Sequence, residues 1–333
     1  MAHRLRIGLV YDTFEHFVWR PGDPPDADAE LEPWETVEAL EAAFRHLGHE
    51  PVRIGPTAAL LDAIPLLRTL DAALSIAEGR DGVGREGHAP AIFEATGVPY
   101  LGSDALTLSL SLDKHWTNTL VDAAGVRTPE RRVFASAAAV DDADLPPFPL
   151  FVKPRYEGSS KGIALTSKVQ DQAALRAEVA RVTKDYRQDA LVEAFVEGSE
   201  FTVAVVGHDP PRTLPVLQRA VEAGTGIGLH ALERRGLPEA AYGHRVGMRL
   251  TPNLEARLQA SALRAFETLR CRDFARMDFR VTDAGEVFFL EANPLPTFAP
   301  DGTFAILAEL SGIPYEVFLG RVFADGLRRL GLG

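Results

Sequence analysis

Between Phe274 and Pro296 the chain reads FARMDFRVTDAGEVFFLEANPLP, two strand-forming runs on either side of Asp283-Ala284-Gly285. A turn-forming segment between such runs makes an antiparallel hairpin, and a hairpin fixes which residues meet. A loop centred on Ala284-Gly285 pairs Asp283 with Glu286, Asp278 with Glu291 and Arg276 with Asn293. Strand side chains alternate between faces. These last four therefore share one face, and Met277, Phe279, Phe288 and Leu290 are expected in a core on the other. Two carboxylates, an amide and a guanidinium on one sheet face are costly to bury unless they bind something. Their oxygens suit Mg²⁺ held together with phosphate oxygens. The same residues also fit a cross-strand ion pair on a solvated face.

A second segment, FVKPRYEGSSKG from Phe151 to Gly162, delivers a lysine on a short apolar strand and then turns through a glycine- and serine-rich loop before the apolar IALTS. Backbone N–H groups and lysines in such a loop can close over a phosphate. The spacing is not that of a P-loop. Gly158 to Gly162 spell G-x-S-x-G, a hydrolase nucleophile only where a strand turns into a helix. A strand is expected after the loop here, which excludes that reading. An ordinary Gly/Ser turn remains the alternative for the loop taken alone.

Together these segments resemble the ATP-grasp superfamily, and within it the D-alanine–D-alanine ligases. FVKPRYEGSSKGI is similar to that family's strand and loop over the ATP phosphates. LVEAFVEGSEFTVAVVG, from Leu191 to Gly207, resembles its hinge. RMDF and LEAN resemble its metal hairpin. GVPYLGSDALTLSLSLDKHWTNTL, from Gly97 to Leu120, resembles the entry to its central domain, with Asp113-Lys114 as the Asp-Lys pair. The four motifs come in the family's order and span most of the chain.

The rest of the sequence agrees. At 333 residues there is enough chain for two or three domains, and a net charge of −12 argues against a nucleic-acid partner. One cysteine, Cys271, fits a reducing, cytoplasmic setting. MAHRLRIGLVYD runs straight into a strand without a signal pattern, and no apolar run reaches membrane-spanning length. Strands at Leu5–Tyr11, Val52–Ile54 and Ala72–Ala77 with a helix over Trp34–Leu47 give a β-α-β order. That order points to an α/β fold with a Rossmann-like N-terminal domain. The dinucleotide fingerprint is missing after the first strand, and the glycines of Gly224–Gly228 lack a βαβ context, which disfavours an oxidoreductase. Helices are expected over Ala89–Gly97, Ser103–Ala124 and Asn253–Arg270. The resemblance implies a Rossmann-like domain over residues 1–104, then an ATP-grasp fold with a central α+β subdomain over 105–190 and a C-terminal one over 191–333.

It also implies roles. Lys114 and Lys153 would contact the α- and β-phosphates, with Ser159 and Ser160 in the loop above them. Glu193 would accept from the adenine amino group, with Ala194, Phe195 and Val196 as hinge backbone, and Glu200 would bind the ribose. Asp278, Glu291 and Asn293 would hold Mg²⁺, with Mn²⁺ as the alternative metal. Arg276 would stabilise an oxyanion. The family's activity is ATP-dependent joining of a carboxylate to an amine through an acyl phosphate, on small amino-acid or carboxylate substrates, often as a homodimer.

Three departures lie on the substrate side. The family's glutamate for the first amino group is matched best by Glu30, with Glu32 and Glu35 as competitors. Its lid lysine is matched by Arg235 in GLHALERRG, within a lid over Leu217–Gly236, but Gly236 replaces a tyrosine. Its oxyanion-hole glycine becomes Thr297, and its carboxylate-binding serine falls near Gly302. The acceptor half is thus rewritten. The chain is similar to divergent relatives that join amino acids to other small metabolites, such as the mycosporine ligases. D-alanine is expected to be a poor substrate, with a true D-alanine–D-alanine ligase and a weakly active ATP-binding regulator as the competing expectations.

Overall fold

The computed structural model describes residues 4–141, 143–228, 244–245 and 248–333. Arg235 and the lid sequence after Gly228, LHALERRG, lie outside the described residues.

The chain opens with a parallel sheet. Strands β1 (Arg6–Val10), β2 (Glu50–Gly55), β3 (Ala72–Ser75) and β4 (Tyr100–Leu101) lie in the order β2-β1-β3-β4. Parallel strands need crossover connections, supplied here by α1 (Trp34–His46), α2 (Ile64–Leu67) and α3 (His88–Thr96). The proline-rich stretch from Pro21 to Pro33 forms turns without a helix or sheet strand.

A single helix expected over Ser103–Ala124 is two: α4 (Ala105–Leu112) and α5 (Lys114–Ala123). Asp113 breaks it. Its backbone is extended, and its carboxylate accepts from the N–H groups of His115 and Trp116, which caps α5. The cap places Lys114 at the first position of a new helix.

Next comes an antiparallel sheet of β5 (Arg131–Phe134), β6 (Leu150–Pro154), β7 (Lys168–Val169) and β8 (Ala190–Ala194), ordered β5-β8-β6-β7, with α6 (Gln172–Asp185) on one face. The strand expected at IALTS is instead a 3-10 turn, Leu165–Ser167, leading into the two-residue β7. The loop therefore joins two strands and not a strand to a helix. The sequence then forms a larger antiparallel sheet from β9 (Ser199–Gly207), β10 (Arg212–Thr213) and β11 (Leu217–Arg219), with β12 (Val221–Glu222) and β13 (His244–Arg245) as a separate pair. Helix α7 (Pro252–Thr268) precedes β14 (Asp273–Val281) and β15 (Val287–Asn293), which complete the order β10-β9-β14-β15 with β11 on β9. Helices α8 (Thr303–Leu310) and α9 (Tyr315–Arg329) return to pack with α1 on the N-terminal sheet.

Alternation on β9 and β14 divides the large sheet. Phe201, Val203, Val205, Ala275, Met277 and Phe279 turn to α7 and are buried. Glu200, Asp278 and Arg280 turn the other way, into a cavity. In the smaller sheet Val152 and Val192 join the core under α6, while Phe151, Lys153 and Glu193 line the same cavity. The cavity lies between two antiparallel sheets because each sheet buries its apolar face on its own helix.

Candidate active site

The hairpin β14–β15 pairs Arg276 with Asn293 and Asp278 with Glu291, as the sequence predicts, but reaches that register by another route. The turn has three loop residues. Thr282 N–H bonds Glu286 O, Gly285 N–H bonds Thr282 O, and Gly285 has φ +79°. This moves the inner pairs by one, to Val281–Val287 and Phe279–Phe289, and a bulge after Asp278 restores the outer register. Bulges beside functional sites re-aim side chains. Phe289, not Phe288 or Leu290, is the core residue. Leu290 lines the cavity and Phe288 stacks under the Arg127 guanidinium at 4.6 Å.

The cavity gathers Lys114, Lys153, Ser160, Glu193, Ala194, Phe195, Val196, Glu200, Asp278 and Glu291 from the sequence-predicted set. Ser159 and Glu30 line a neighbouring cavity on the far side of the loop, together with Thr297. Arg276 and Asn293 face each other two pairs beyond Asp278–Glu291 and on the same face. Residues missed from sequence complete the walls. Phe151, Ile163, Ile227 and Leu290 make an apolar slot, and Lys161 and Arg280 add charge. Arg280 was within reach of sequence reasoning, since it follows Arg276 and Asp278 at the same period of two.

The charges are paired and buried. Lys153 Nζ is 2.7 Å from Glu193 Oε2, because the two residues are diagonal neighbours on β6 and β8. Burial works against the Lys153 charge, but Glu193 and Glu291 outweigh it and raise its pKa above the ordinary lysine value. Lys114 Nζ is 3.6 Å from Glu291 Oε2 and donates to the carbonyl of Glu157 in the loop. Arg276 Nη2 is 3.0 Å from Asp278 Oδ2, and Asp278 also accepts from the Thr202 hydroxyl. Burial opposes the Arg276 charge too, and Asp278 and Glu291 prevail in raising its pKa. Arg280 Nη2 holds Glu200 Oε2 at 3.0 Å. The cations and anions that would meet a nucleotide thus hold one another, and the cavity is narrow, about 110 Å³.

The loop itself is bound to the N-terminal segment. Glu30 Oε1 accepts from Gly158 N–H at 2.6 Å and from Arg85 at 2.5 Å, and Lys161 is 3.3 Å from its other oxygen. Asp26 accepts from Gly162 N–H at 2.8 Å and from Tyr186 Oη. Ser159 and Ser160 have φ of +47° and +59°, a left-handed conformation that non-glycine residues seldom adopt. Among the described residues no three His, Cys, Asp or Glu side chains are grouped as a metal site. The protein can offer a divalent cation two facing carboxylates and an amide, all oxygen donors. The remaining ligands must come from phosphate and water, the arrangement Mg²⁺ favours.

Residues 124–323 match the family model described as D-ala D-ala ligase C-terminus. An uncharacterized protein, y4sG, of Sinorhizobium fredii is 31% identical over 98% of this chain and 98% of its own. The D-alanine–D-alanine ligase of Alcanivorax borkumensis is 30% identical over 87% of this chain and 88% of its own. The VanG D-Ala:D-Ser ligase from Enterococcus faecalis superposes with a TM-score of 0.73 at 21% identity, covering 97% of this chain and 100% of that one, a likeness of fold.

Proposed function

Because the chain belongs to the D-alanine–D-alanine ligase family, we propose that it is an ATP-dependent carboxylate–amine ligase working through an acyl phosphate. The observation that carries this reading is the convergence of Lys114, Lys153, Glu193, Glu200, Asp278 and Glu291 on one cavity between two antiparallel sheets. The subdomain division expected at 190/191 is proposed slightly later, between Ala194 and Ser199, because β8 pairs in the smaller sheet and β9 in the larger.

Adenine would occupy the slot of Phe151, Ile163, Ile227 and Leu290 and donate its amino group to Glu193. Lys153 would exchange Glu193 for phosphate, and Arg280 would share Glu200 with the ribose. Lys114 lies between the loop carbonyl of Glu157 and Glu291, which suits it to the phosphates. Asp278, Glu291 and Asn293 would hold Mg²⁺, which neutralises phosphate charge. A substrate carboxylate oxygen then attacks the γ-phosphorus, the bond to the β-phosphate oxygen breaks, and ADP leaves. An amine attacks the acyl carbon, and Arg276 stabilises the oxyanion. The C–O bond to phosphate breaks, and inorganic phosphate and a proton depart, leaving the amide. The loop of Ser159 and Ser160 shields the acyl phosphate from water. Arg235 is proposed on the phosphate side of the lid from its sequence position.

Glu30 is proposed to hold the loop, since its oxygens are already engaged by Gly158, Arg85 and Lys161. Glu32, which accepts from the Thr36 and Thr297 hydroxyls, faces the second cavity and is the candidate for reading a substrate amine. That cavity, with Thr297 in place of a glycine, supports an acceptor other than D-alanine.

The test is ADP formation with ATP, Mg²⁺ and pooled amino acids and small carboxylates, with hydroxylamine added to trap acyl phosphates as hydroxamates. Carboxylate-dependent hydroxamate is the expected result, and Glu291→Gln should lower the rate at least about 100-fold in a folded protein. ATP binding without hydroxamate from any carboxylate would leave the regulator reading in its place.

A further inference from the structure

Helix α5 carries a fully buried amide that neither the fold nor the reaction as described requires. Asn118 is 0% exposed, one helical turn after Lys114 and on the same face. Its Nδ2 donates to Glu193 Oε1 at 3.2 Å, and its Oδ1 has no partner among the described residues. A buried polar atom left without a partner is destabilising. An apolar residue of similar size would avoid that cost, so packing alone does not explain an asparagine.

Glu193 divides its oxygens. Oε1 takes the Asn118 amide and Oε2 takes Lys153. When Lys153 turns to phosphate, Oε2 becomes free to accept, and Asn118 is then the side chain that fixes the carboxylate. A neutral donor does this without cancelling the negative charge that an exocyclic amino group needs to meet.

We infer that Asn118 is a positioning residue that aims Glu193 at the nucleobase and thereby selects a purine bearing an amino group over one bearing a keto oxygen at the same place. The inference rests on the nucleotide reading of the cavity. A carboxylate held in its acceptor role attracts an amino group and repels a keto oxygen. One that can rotate or take up a proton loses the distinction.

The test measures affinity for a non-hydrolysable ATP analogue and the corresponding inosine analogue by calorimetry, with Mg²⁺, in wild type, Asn118→Ala and Asn118→Asp. The wild type should prefer the adenine analogue. Asn118→Ala should shrink the preference about 10- to 100-fold, the range for a hydrogen bond to a charged group. Asn118→Asp keeps the shape and puts two carboxyls in contact, which share one proton at low pH. The protonated carboxyl replaces the amide as donor, so this variant should prefer adenine at pH 6 and lose the preference by pH 8.5. The charged groups around the pair are Lys153 on β6 and Arg131 on β5, with Lys114 one turn away on α5 and Glu200 on β9 and Glu291 on β15 acting through Lys153. A purely structural role would weaken both analogues equally. An unchanged adenine-to-inosine ratio in a folded variant overturns the inference. If Asn118→Ala does not fold, the pH comparison in Asn118→Asp still decides. Failure of the wild type to bind either analogue overturns the nucleotide reading itself.

Discussion

At the scale of single residues, the cluster around Arg85 shows how burial sets protonation. Arg85 is 4% exposed, touches Glu30 and Glu157, and donates to the Tyr156 carbonyl at 2.8 Å. Its neighbours Glu78 and Glu86 are acids buried against each other, with a hydrogen bond between them. Burial pushes Glu86 up to about 7, only partly opposed by Arg85, and burial together with Glu86 pushes Glu78 well above the ordinary value. Both acids therefore bind protons more tightly in the folded than in the unfolded chain. Between the unfolded value of 4.5 and about 7 the folded state holds the extra proton, so stability falls as pH rises through that window. The Glu86 contribution amounts to at most about 1.4 kcal/mol per pH unit. Glu86→Gln should flatten this part of the profile, read from urea midpoints at pH 5, 6, 7 and 8. An unaltered slope would mean that Glu86 is already ionised at pH 5.

At the scale of elements, the hairpin shows what sequence can and cannot fix. Period-two alternation identified the polar face, and the pairs Asp278–Glu291 and Arg276–Asn293 are as read. A turn centred on Ala284-Gly285 differs by one residue in register from the three-residue loop observed, and the bulge at Leu290 cancels the slip only beyond Asp278. Phe288 and Leu290 leave the core for that reason, whereas Met277 and Phe279 on β14 are buried as expected. A bulge leaves no compositional trace, since Phe288, Phe289 and Leu290 suit either face equally. The break at Asp113 was more accessible, because aspartate is a good N-cap, yet apolar residues on both sides mask it. The left-handed Ser159 and Ser160 could not be foreseen, because tertiary bonds from Glu30 and Asp26 hold their loop. The bulge has a mutational signature. Phe289→Ala removes a ring with 0% exposure and should cost about 3–5 kcal/mol. Phe288→Ala loses partial burial and a cation–π contact worth about 0.5–1 kcal/mol. Urea denaturation that ranks Phe288→Ala as the more damaging change would contradict the bulged register.

At the scale of the whole molecule, the two ends of the chain form one body against which the central sheet is set. Phe298, Phe304, Leu319 and Phe323 from the C-terminal part share a core with Ile7, Leu9 and Phe44 of the N-terminal part. Asp273, fully buried on β14, accepts from Gly102 N–H and from Arg329, which closes the same seam. The loop of Glu157 to Gly162 belongs to the central sheet but is fastened to this body through Glu30, Asp26 and Arg85. The N-terminal segment therefore holds a loop that lies between the cavity of Lys153 and Glu193 and the second cavity. If Glu30 fastens the loop, Glu30→Gln weakens a charge-assisted contact of about 1.5–3 kcal/mol. Amide hydrogen exchange at Gly158 and Lys161 should then quicken about tenfold or more, while the amides of α7 keep their protection. An ATP analogue with Mg²⁺ should restore part of the protection by holding the loop from its other side. If Glu30 instead reads a substrate amine, Glu30→Gln should raise the KM for that substrate and leave loop exchange as it is in the wild type. The two outcomes separate a residue that shapes the cavity wall from one that meets the substrate, and the three engaged contacts of Glu30 favour the first.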